Sequence, residues 1–311
     1  MRPAVQQLEY FVAVAEEGQF TRAAQRLHVA QPSISAQIRQ LERTLGTSLL
    51  HRGSGPVTMT DAGETLLPLA RRVLADLTDI TTEIDEVENL QRGHIAVGAT
   101  PSLSATLLPS VLGRFHKLHP GVSLTVFEQG SRHLVEGLNA GLLDLAMAVL
   151  PTDEARFERT VLAIEELVVV TSKSHWLSSR RRIGITDLDQ VPMIMFRDGY
   201  DLRTMTLSAF SQARLAPLVA VEGGEMGSVV SLVAQGLGVA IIPSIVAIAN
   251  PRLHVLRLRR PGLRREIALV TRRDRQPSHA AAVFSAEITG SLKERGWPGT
   301  APPGLKLFLQ N

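Results

Sequence analysis

The spacing of apolar and polar positions near the start of the chain is helical in two short consecutive segments. In the second segment Ile34, Ile38, Leu41 and Leu45 recur at intervals of four, three and four, with polar side chains between them. Pro32 suits the first turn of a helix, where its missing N–H has no partner to lose. The pattern predicts a helix-turn-helix whose second helix would present short polar side chains to base edges. An ordinary helical hairpin is the alternative.

The flanking residues extend this unit. An apolar stripe over residues 5–17 predicts a further helix that ends at Gly18. After Gly46, two short β-prone pieces flank the turn HRGSGP. This arrangement predicts a wing, with Arg52 placed to contact phosphates or the minor groove.

A heptad-like pattern follows from Asp61 to Leu90, and Thr60 and Asp61 compete as the residue that caps this helix. Alternating intervals of four and three favour a linker helix that pairs with a second copy. A long helix packed on its own domain is the alternative. The predicted dimerisation seam consists of Leu66, Val73, Leu77, Ile80, Ile84 and Val87.

Beyond a short hinge at 91–93, strand-like and helix-like segments alternate twice, which predicts two α/β lobes. The predicted fold class is therefore α + α/β. The predicted boundaries are 1–60 for the winged helix-turn-helix, 61–92 for the linker helix and hinge, 93–295 for the two lobes and 296–311 for a loosely ordered tail. Lobe I would span about 93–161 and 267–295, and lobe II about 162–266.

Charge and composition narrow the function classes. The net charge of +3 is spread so that residues 1–60 hold six Arg against four Glu, while residues 61–92 hold three Arg against eight acids. Charge alone therefore does not identify a nucleic-acid binder. The chain has no cysteine, which excludes disulfides, thiolate catalysis and cysteine-ligated zinc. Its first residues become amphipathic at once, so we expect no signal peptide and a cytoplasmic protein.

One uncharged stretch, Val229 to Ala249, is long enough to span a bilayer. Gly236, Gly238 and Pro243 interrupt it, so a buried helix, strand and helix fit better than a membrane span.

The sequence does not support the interpretation that the protein is an enzyme. The chain contains no G-x-S-x-G, H-E-x-x-H or G-K-[ST] motif, and we expect no catalytic residue, no metal and no cofactor. His116 and His119 are read as a solvated pair because no third ligand accompanies them. A periplasmic solute-binding protein would have no use for residues 1–60. The arginines at 257–275 are read as a surface loop or subunit contact, in preference to a site for a phosphate-bearing effector.

The stretch LEYFVAVAEEGQFTRAAQRLHVAQPSISAQIRQLERTLGTSLLHR, followed by TDAG, GLGVAIIP and ALVT, resembles LysR-type transcriptional regulators over nearly the whole chain. The resemblance implies a winged helix-turn-helix, a dimerising linker helix and a two-lobed domain with the fold of periplasmic binding proteins. It also implies double-stranded DNA as partner, a homodimer or homotetramer, a possible contact with RNA polymerase and no membrane.

Site residues follow from the resemblance position by position. The implied DNA-binding residues are Thr21, Arg22, Gln31, Pro32, Ser33, Ser35, Gln37 and Arg52. Relatives often have arginine at the position of Ala36, so one contact is missing or replaced here.

The implied effector-binding residues are Thr100, Ser102, Gln129, Ser131, Phe196, Arg197 and Met226. Plain helix capping is the alternative for Thr100 and Ser102. A small carboxylate-bearing metabolite is the favoured effector, since free N–H groups at helix starts hold carboxylates.

Overall fold

The computed structural model describes residues 2–51, 56–86, 93–150 and 156–308, with the backbone alone at 78–86 and 150. The chain forms two compact units, Met1–Glu88 with Gly137–Leu142 and Asn89–Glu136 with Leu143–Asn311. Two separate clusters of buried apolar side chains accompany them.

The first unit contains a helix-turn-helix with a wing and a long helix. Its elements are α1 (Val5–Glu17), α2 (Phe20–Arg26), α3 (Gln31–Leu45), β1 (Leu50–His51), β2 (Thr58–Met59) and α4 (Asp61–Glu86). β1 and β2 pair antiparallel. The predicted winged helix-turn-helix is confirmed.

The core of this unit follows the helical period of α3. Ile34, Ile38 and Leu41 are fully buried, as predicted. Leu45, which was expected on the same face, is 39% exposed. The reason is local: Leu45 is the last residue of α3, and Gly46 turns the chain away in a left-handed conformation with φ of 72°.

Thr60, not Asp61, caps α4. Its hydroxyl accepts a hydrogen bond from the Gly63 amide at 3.1 Å and donates to the Ser48 carbonyl at 2.7 Å. Gly63 has to be glycine because a Cβ there would overlap the carbonyl oxygen of Leu49. The TDAG sequence thus fixes how α4 leaves the wing.

The apolar stripe of α4 divides between two roles. Leu66 packs against the core of the first unit and Ala70 is buried in it, while Val73 and Leu77 are 41% and 38% exposed. Leu69 is also exposed, at 54%. The N-terminal part of α4 therefore packs on its own domain, and Leu66 is only partly available to the predicted seam. The side chains of Ile80 and Ile84, and all of Val87, lie outside the described residues.

The second unit is a two-lobed α/β structure. Its helices are α5 (Pro101–Thr106), α6 (Leu108–Leu118), α7 (Ser131–Asn139), α8 (Asp201–Gln212), α9 (Met226–Ala234), α10 (Ser244–Ile248) and α11 (His279–Arg295), with 3-10 turns at Trp176–Ser179 and Ile185–Leu188. Its strands are β3 (Gly93–Ala99), β4 (Val122–Glu128), β5 (Leu145–Leu150), β6 (Phe157–Ser172), β7 (Arg182–Ile183), β8 (Pro192–Phe196), β9 (Leu218–Gly224), β10 (Ala240–Pro243), β11 (Leu253–Leu258), β12 (Arg264–Arg272) and β13 (Lys306–Leu307).

One long strand joins the lobes. In lobe I the strand order is β4-β3-β5-β12-β6, with β3 parallel to β4 and β5, which confirms the predicted βαβαβ unit. The C-terminal part of β6 then pairs with β10 and β11 in lobe II. The expected boundary at 161/162 falls inside β6, whose pairing with β12 continues to Glu166.

The uncharged stretch Val229 to Ala249 forms part of α9, then β10, then α10, as predicted. Ala240, Ile241 and Ile242 pair with β6 and are buried. Within the described part of the chain, no helix combines the length and apolar character that a membrane span requires.

The expectation of a loosely ordered tail is wrong for residues 296–308. Trp297 is 6% exposed, and β13 pairs with β6 at Ile164 and Ala163. The proline-rich composition concealed one buried aromatic ring and a two-residue strand, either of which is too short to show a period.

Candidate DNA-binding surface and effector cleft

The first turn of α3 carries the side chains best placed for base contacts. Gln31, Pro32 and Ser33 are all exposed there. On α2, Thr21 and Arg22 are exposed as well, while Ala23 and Ala24 pack inward. Arg52 lies outside the described residues. The turn therefore presents a polar surface on a buried support, the arrangement of a recognition helix.

Two further candidate side chains of α3 have partners within the unit. The Gln37 carboxamide oxygen accepts a hydrogen bond from Gln7 Nε2 at 3.2 Å. The Ser35 hydroxyl accepts one from Arg39 Nη1 at 3.1 Å. Arg39 is exposed and was not among the predicted contacts, although its place one turn after Ser35 supplies a cation on the same face.

The partly buried carboxylate of Glu16 connects three helices of the first unit. Glu16 of α1 accepts hydrogen bonds from Arg26 of α2 at 2.7 Å and from Arg71 of α4 at 2.9 Å. Burial acts to raise the pKa of Glu16, but the hydrogen bonds and charges of Arg26 and Arg71 outweigh it and leave the pKa below its usual value. The ion pairs thus orient the helix-turn-helix relative to the start of α4.

Thr100 and Ser102, at the end of β3 and the start of α5, are 3% and 1% exposed. Thr100 stands at the N-cap position of α5, but its hydroxyl makes no capping hydrogen bond and lies 3.5 Å from the Ser102 hydroxyl. Ser102 Oγ accepts a hydrogen bond from Arg265 Nη2 at 2.8 Å. Simple capping is therefore not what holds these two side chains.

Arg265 connects this pair of hydroxyls to lobe II through a buried carboxylate. Its Nε donates to Glu165 at 2.9 Å, and Glu165 is fully buried. Glu165 also accepts from the Ile245 amide at 2.8 Å and the Ser244 hydroxyl at 3.3 Å, both in α10. A chain of polar contacts consequently runs from lobe I through Arg265 and Glu165 into lobe II.

The interpretation of the arginines at 257–275 as a surface feature is wrong for two of them. Arg265 is 4% exposed and Arg272 is 9% exposed, because each is paired with a carboxylate. Arg257 lies on a strand and not on a loop, since β11 is placed between β6 and β7.

A second contact between the lobes forms at the start of α7. The hydroxyl of Ser131 donates to the Asp201 carboxylate at 2.6 Å and accepts from the Val149 amide at 2.9 Å. Beside it, a Cβ on Gly130 would overlap the carbonyl oxygen of Gly199. The two backbones can approach this closely only because residue 130 is a glycine.

The remaining predicted effector residues lie on lobe II, apart from Gln129, whose side chain is exposed after β4. Phe196 is buried at the end of β8, and its ring stacks on Tyr200 with centroids 5.8 Å apart. Arg197 pairs with Glu225 at 2.8 Å, and Tyr200 donates a hydrogen bond to the same carboxylate.

Met226 is buried and begins α9, directly after Glu225. The structure therefore brings Thr100 and Ser102 together in one cluster and joins Arg197 to the start of α9 through Glu225. Sequence reasoning missed Arg265, Glu165, Asp201, Tyr200 and Glu225, which hold these predicted residues.

Comparison with known proteins agrees with this architecture. Residues 5–64 match the family model described as "Bacterial regulatory helix-turn-helix protein, lysR family". Residues 88–293 match the model described as "LysR substrate binding domain". Similar curated proteins include a probable hydrogen peroxide-inducible genes activator of Streptomyces viridosporus, 31% identical over 94% of each chain. An uncharacterized HTH-type transcriptional regulator of Bacillus subtilis, YwbI, is 30% identical over 90% of this chain and 94% of its own.

Solved structures of similar fold are full-length regulators. A full-length OxyR variant from Pseudomonas aeruginosa has a TM-score of 0.70 and 25% identity, and the match covers 97% of this chain and all (100%) of that one. CbnR complexed with its target DNA has a TM-score of 0.68 and 26% identity, covering 93% of this chain and 99% of that one. The helix-turn-helix, the two-lobed unit and both family matches lead to one conclusion: the chain belongs to the LysR family of bacterial DNA-binding transcriptional regulators.

Proposed function

We propose that this regulator binds its operator as a homotetramer and that a small molecule bound between the lobes of the second unit controls its arrangement on DNA. The observation that carries the proposal is the polar chain Ser102–Arg265–Glu165, which links the lobes through buried side chains. A ligand that takes the Ser102 hydroxyl from Arg265 would alter the contact between lobes. It can shift the equilibrium only by its difference in affinity for the two arrangements.

The effector we propose is a small carboxylate-bearing metabolite. The chain itself supports this chemistry, because the carboxylate of Asp201 already lies against the Ser131 hydroxyl and 3.4 Å from the Ser131 amide. An effector carboxylate would use the same kind of donors at Thr100 and Ser102. Buried hydroxyls beside a guanidinium favour an anionic oxygen over an apolar group.

The effector test is a thermal-shift screen of small carboxylates on the full chain, followed by operator binding. A ligand of the folded state raises the unfolding midpoint by mass action. Thr100→Val with Ser102→Ala should abolish the shift and the response of DNA binding, while basal operator affinity persists. Ser104→Ala, on the less buried side of α5, is the control. An unchanged response in the double variant would move the effector site elsewhere.

The DNA-binding test compares operator with scrambled DNA. Gln31→Ala should weaken operator binding more than binding to scrambled DNA, because base contacts carry sequence information. Arg22→Ala should weaken binding to both DNAs and reduce the salt dependence, as phosphate contacts do. Equal loss of both DNAs on Gln31→Ala would contradict a base-reading role.

Some relatives are named as hydrogen peroxide-inducible activators, but thiol-based peroxide sensing does not transfer to this chain, which contains no cysteine. We propose that the protein is a regulator and not an enzyme, and that it has no resident cofactor. It would act in the cytoplasm, where bacterial DNA is found. Contact with RNA polymerase stays a prediction.

A further inference from the structure

A pocket of about 160 Å³ on the second unit is lined by four arginines and a single acid. Arg182 comes from β7, Arg257 from β11, Arg264 from β12 and Arg260 from the turn between β11 and β12. Glu166 of β6 is the acid. Four positive charges against one negative charge leave a net charge of +3 around this cavity.

Glu166 neutralises only part of this charge. One of its oxygens lies 2.7 Å from Arg257 Nη2, and the other lies 3.5 Å from Arg264 Nη2. A Cβ on Gly304 would overlap the Glu166 carboxylate, so the C-terminal segment packs directly against this side chain and limits its movement. The two oxygens of Glu166 thus face Arg257 and Arg264, not the other two arginines.

Arg182 and Arg260 are left without a carboxylate among the residues that the structure describes. Asp187, in the 3-10 turn after β7, pairs with Arg180 at 3.4 Å and with Arg259 at 3.3 Å. The hydrogen bond from the Gly184 amide lowers the pKa of Asp187, and these two arginines lower it further. Asp187 is therefore an anion that already has cationic partners. Among the described residues that line the pocket, Glu166 is the only acid.

The strand register brings two of the four arginines together. Arg257 and Arg182 are direct partners on the parallel strands β11 and β7. Two guanidinium groups on neighbouring strands repel each other, and Glu166 offsets only part of the charge on Arg257. An anion between the two guanidinium groups would convert this repulsion into attraction.

We propose that this pocket binds a small phosphate-type anion, either inorganic phosphate or the phosphate group of a monoester. Guanidinium groups bind phosphate through paired N–H donors, and several arginines arriving from different strands can reach different oxygens of a tetrahedral anion. A carboxylate has only two oxygens and can therefore reach fewer guanidinium groups than phosphate. Glu166 already supplies a carboxylate to Arg257 and Arg264. The site shares no residue with the predicted effector cluster, so it goes beyond the proposed function.

Isothermal titration of the full chain with inorganic phosphate tests the proposal, in a phosphate-free buffer with chloride holding the ionic strength constant. Saturable binding is expected. Arg182→Gln with Arg260→Gln should raise the Kd about tenfold or more, because charge-assisted hydrogen bonds are lost. Arg252→Gln, an exposed arginine that does not line the pocket, is the matched control and should change the Kd less than about twofold, since an isolated surface charge contributes little.

A second arm titrates glycerol 3-phosphate and malonate. Tighter binding of the ester would identify a metabolite as the source, and tighter binding of inorganic phosphate would identify the free ion. Both targeted arginines are exposed, so we expect their replacement to leave the fold intact. Circular dichroism of the double variant and of the single variant Arg182→Gln verifies this. The proposal fails if wild type shows no saturable binding at millimolar phosphate, if the double variant binds as wild type does, if Arg252→Gln weakens binding equally, or if malonate binds more tightly than phosphate.

Discussion

The carboxylate of Asp201, on lobe II, accepts a hydrogen bond of 2.6 Å from the hydroxyl of Ser131, on lobe I. The same carboxylate oxygen lies 3.4 Å from the Ser131 amide at the start of α7. With Gly130 against Gly199, this contact joins the two lobes. The chain therefore supplies its own anion where a helix start would otherwise be free to hold one.

Removing this anion should loosen the contact between the lobes. Hydrogen bonds to charged groups contribute roughly 1.5–3 kcal/mol, so Asp201→Ala should speed amide exchange at the start of α7 about tenfold or more. Asp201→Asn, which keeps an acceptor oxygen, should have a smaller effect. Hydrogen exchange resolved to residues 131–135 measures both.

Asp198→Ala is the control for this prediction. Asp198 lies three residues before Asp201, the first residue of α8, but it pairs with Arg203 at 2.7 Å within lobe II. Its removal should leave exchange in α7 unchanged. Equal exchange rates in wild type and Asp201→Ala would mean that Gly130 and Gly199, not the carboxylate, hold the lobes together.

The pair Arg265–Glu165 should show strong non-additivity. Arg265→Met leaves Glu165 buried without its counter-ion, which costs about 3–5 kcal/mol. Adding Glu165→Gln removes that stranded charge while preserving an acceptor for the Ile245 amide, so the double variant should be more stable than Arg265→Met alone. A double-mutant cycle isolates the coupling.

Urea unfolding followed by tryptophan fluorescence measures this cycle. Both tryptophans of the chain, Trp176 and Trp297, belong to the second unit, so the signal reports on that unit alone. Arg264→Met, one residue away on an exposed side chain, is the control. If the two substitutions simply add, the pair contributes no interaction energy of its own.

Periodic patterns in the sequence predicted the elements that bury a continuous apolar face. The spacing of Ile34, Ile38 and Leu41 indicated α3, and the short continuous apolar run in GVAIIP indicated β10, whose four residues are all buried. Local pattern sufficed for these two elements. Thr100 and Ser102 followed instead from the family resemblance, and their contact with an effector stays a prediction.

Such local patterns do not predict which residues far apart in the chain will pair. Arg265 was interpreted as a surface arginine because its partner Glu165 lies 100 positions earlier in the chain. Asp201 is separated from Ser131 by 70 positions, and nothing in either segment indicates that they meet. A buried charge is invisible in one sequence until its counter-ion is located in space.

The exposed stripe of α4 should be the dimer seam. Val73→Asp, alone or with Leu77→Asp, should dissociate the assembly in sedimentation experiments while the unit stays folded, because both side chains are exposed in the single chain. Thr65→Asp, at an exposed position on the same helix, is the matched control. Leu66→Asp should instead destabilise the first unit, since Leu66 packs on its core. Native sedimentation of the Val73→Asp variant would move the interface off this stripe.

The ion pairs of Glu16 should make the first unit less stable in acid. Its pKa is lowered in the folded state from an ordinary value of 4.5, so its contribution is present above the unfolded pKa and is lost as pH falls through the folded pKa. Both arginines are partly exposed, and screening limits the contribution at neutral pH to about 1 kcal/mol. Glu16→Gln should therefore accelerate amide exchange in α1 and α2 about fivefold at pH 6 to 7, by the factor that 1 kcal/mol represents.

The excess exchange rate of the variant over wild type, compared at the same pH, should shrink below about pH 4.5, where Glu16 becomes protonated in the unfolded state, and should disappear below the lowered pKa of Glu16 in the folded state. Added salt should reduce it too. Glu17→Gln is the matched control, because Glu17 reaches Arg26 only at 3.4 Å and Arg71 stays bound to Glu16. A difference that grows toward low pH would have the wrong sign for a carboxylate with a lowered pKa, and would show that Glu16 does not stabilise the unit as an anion.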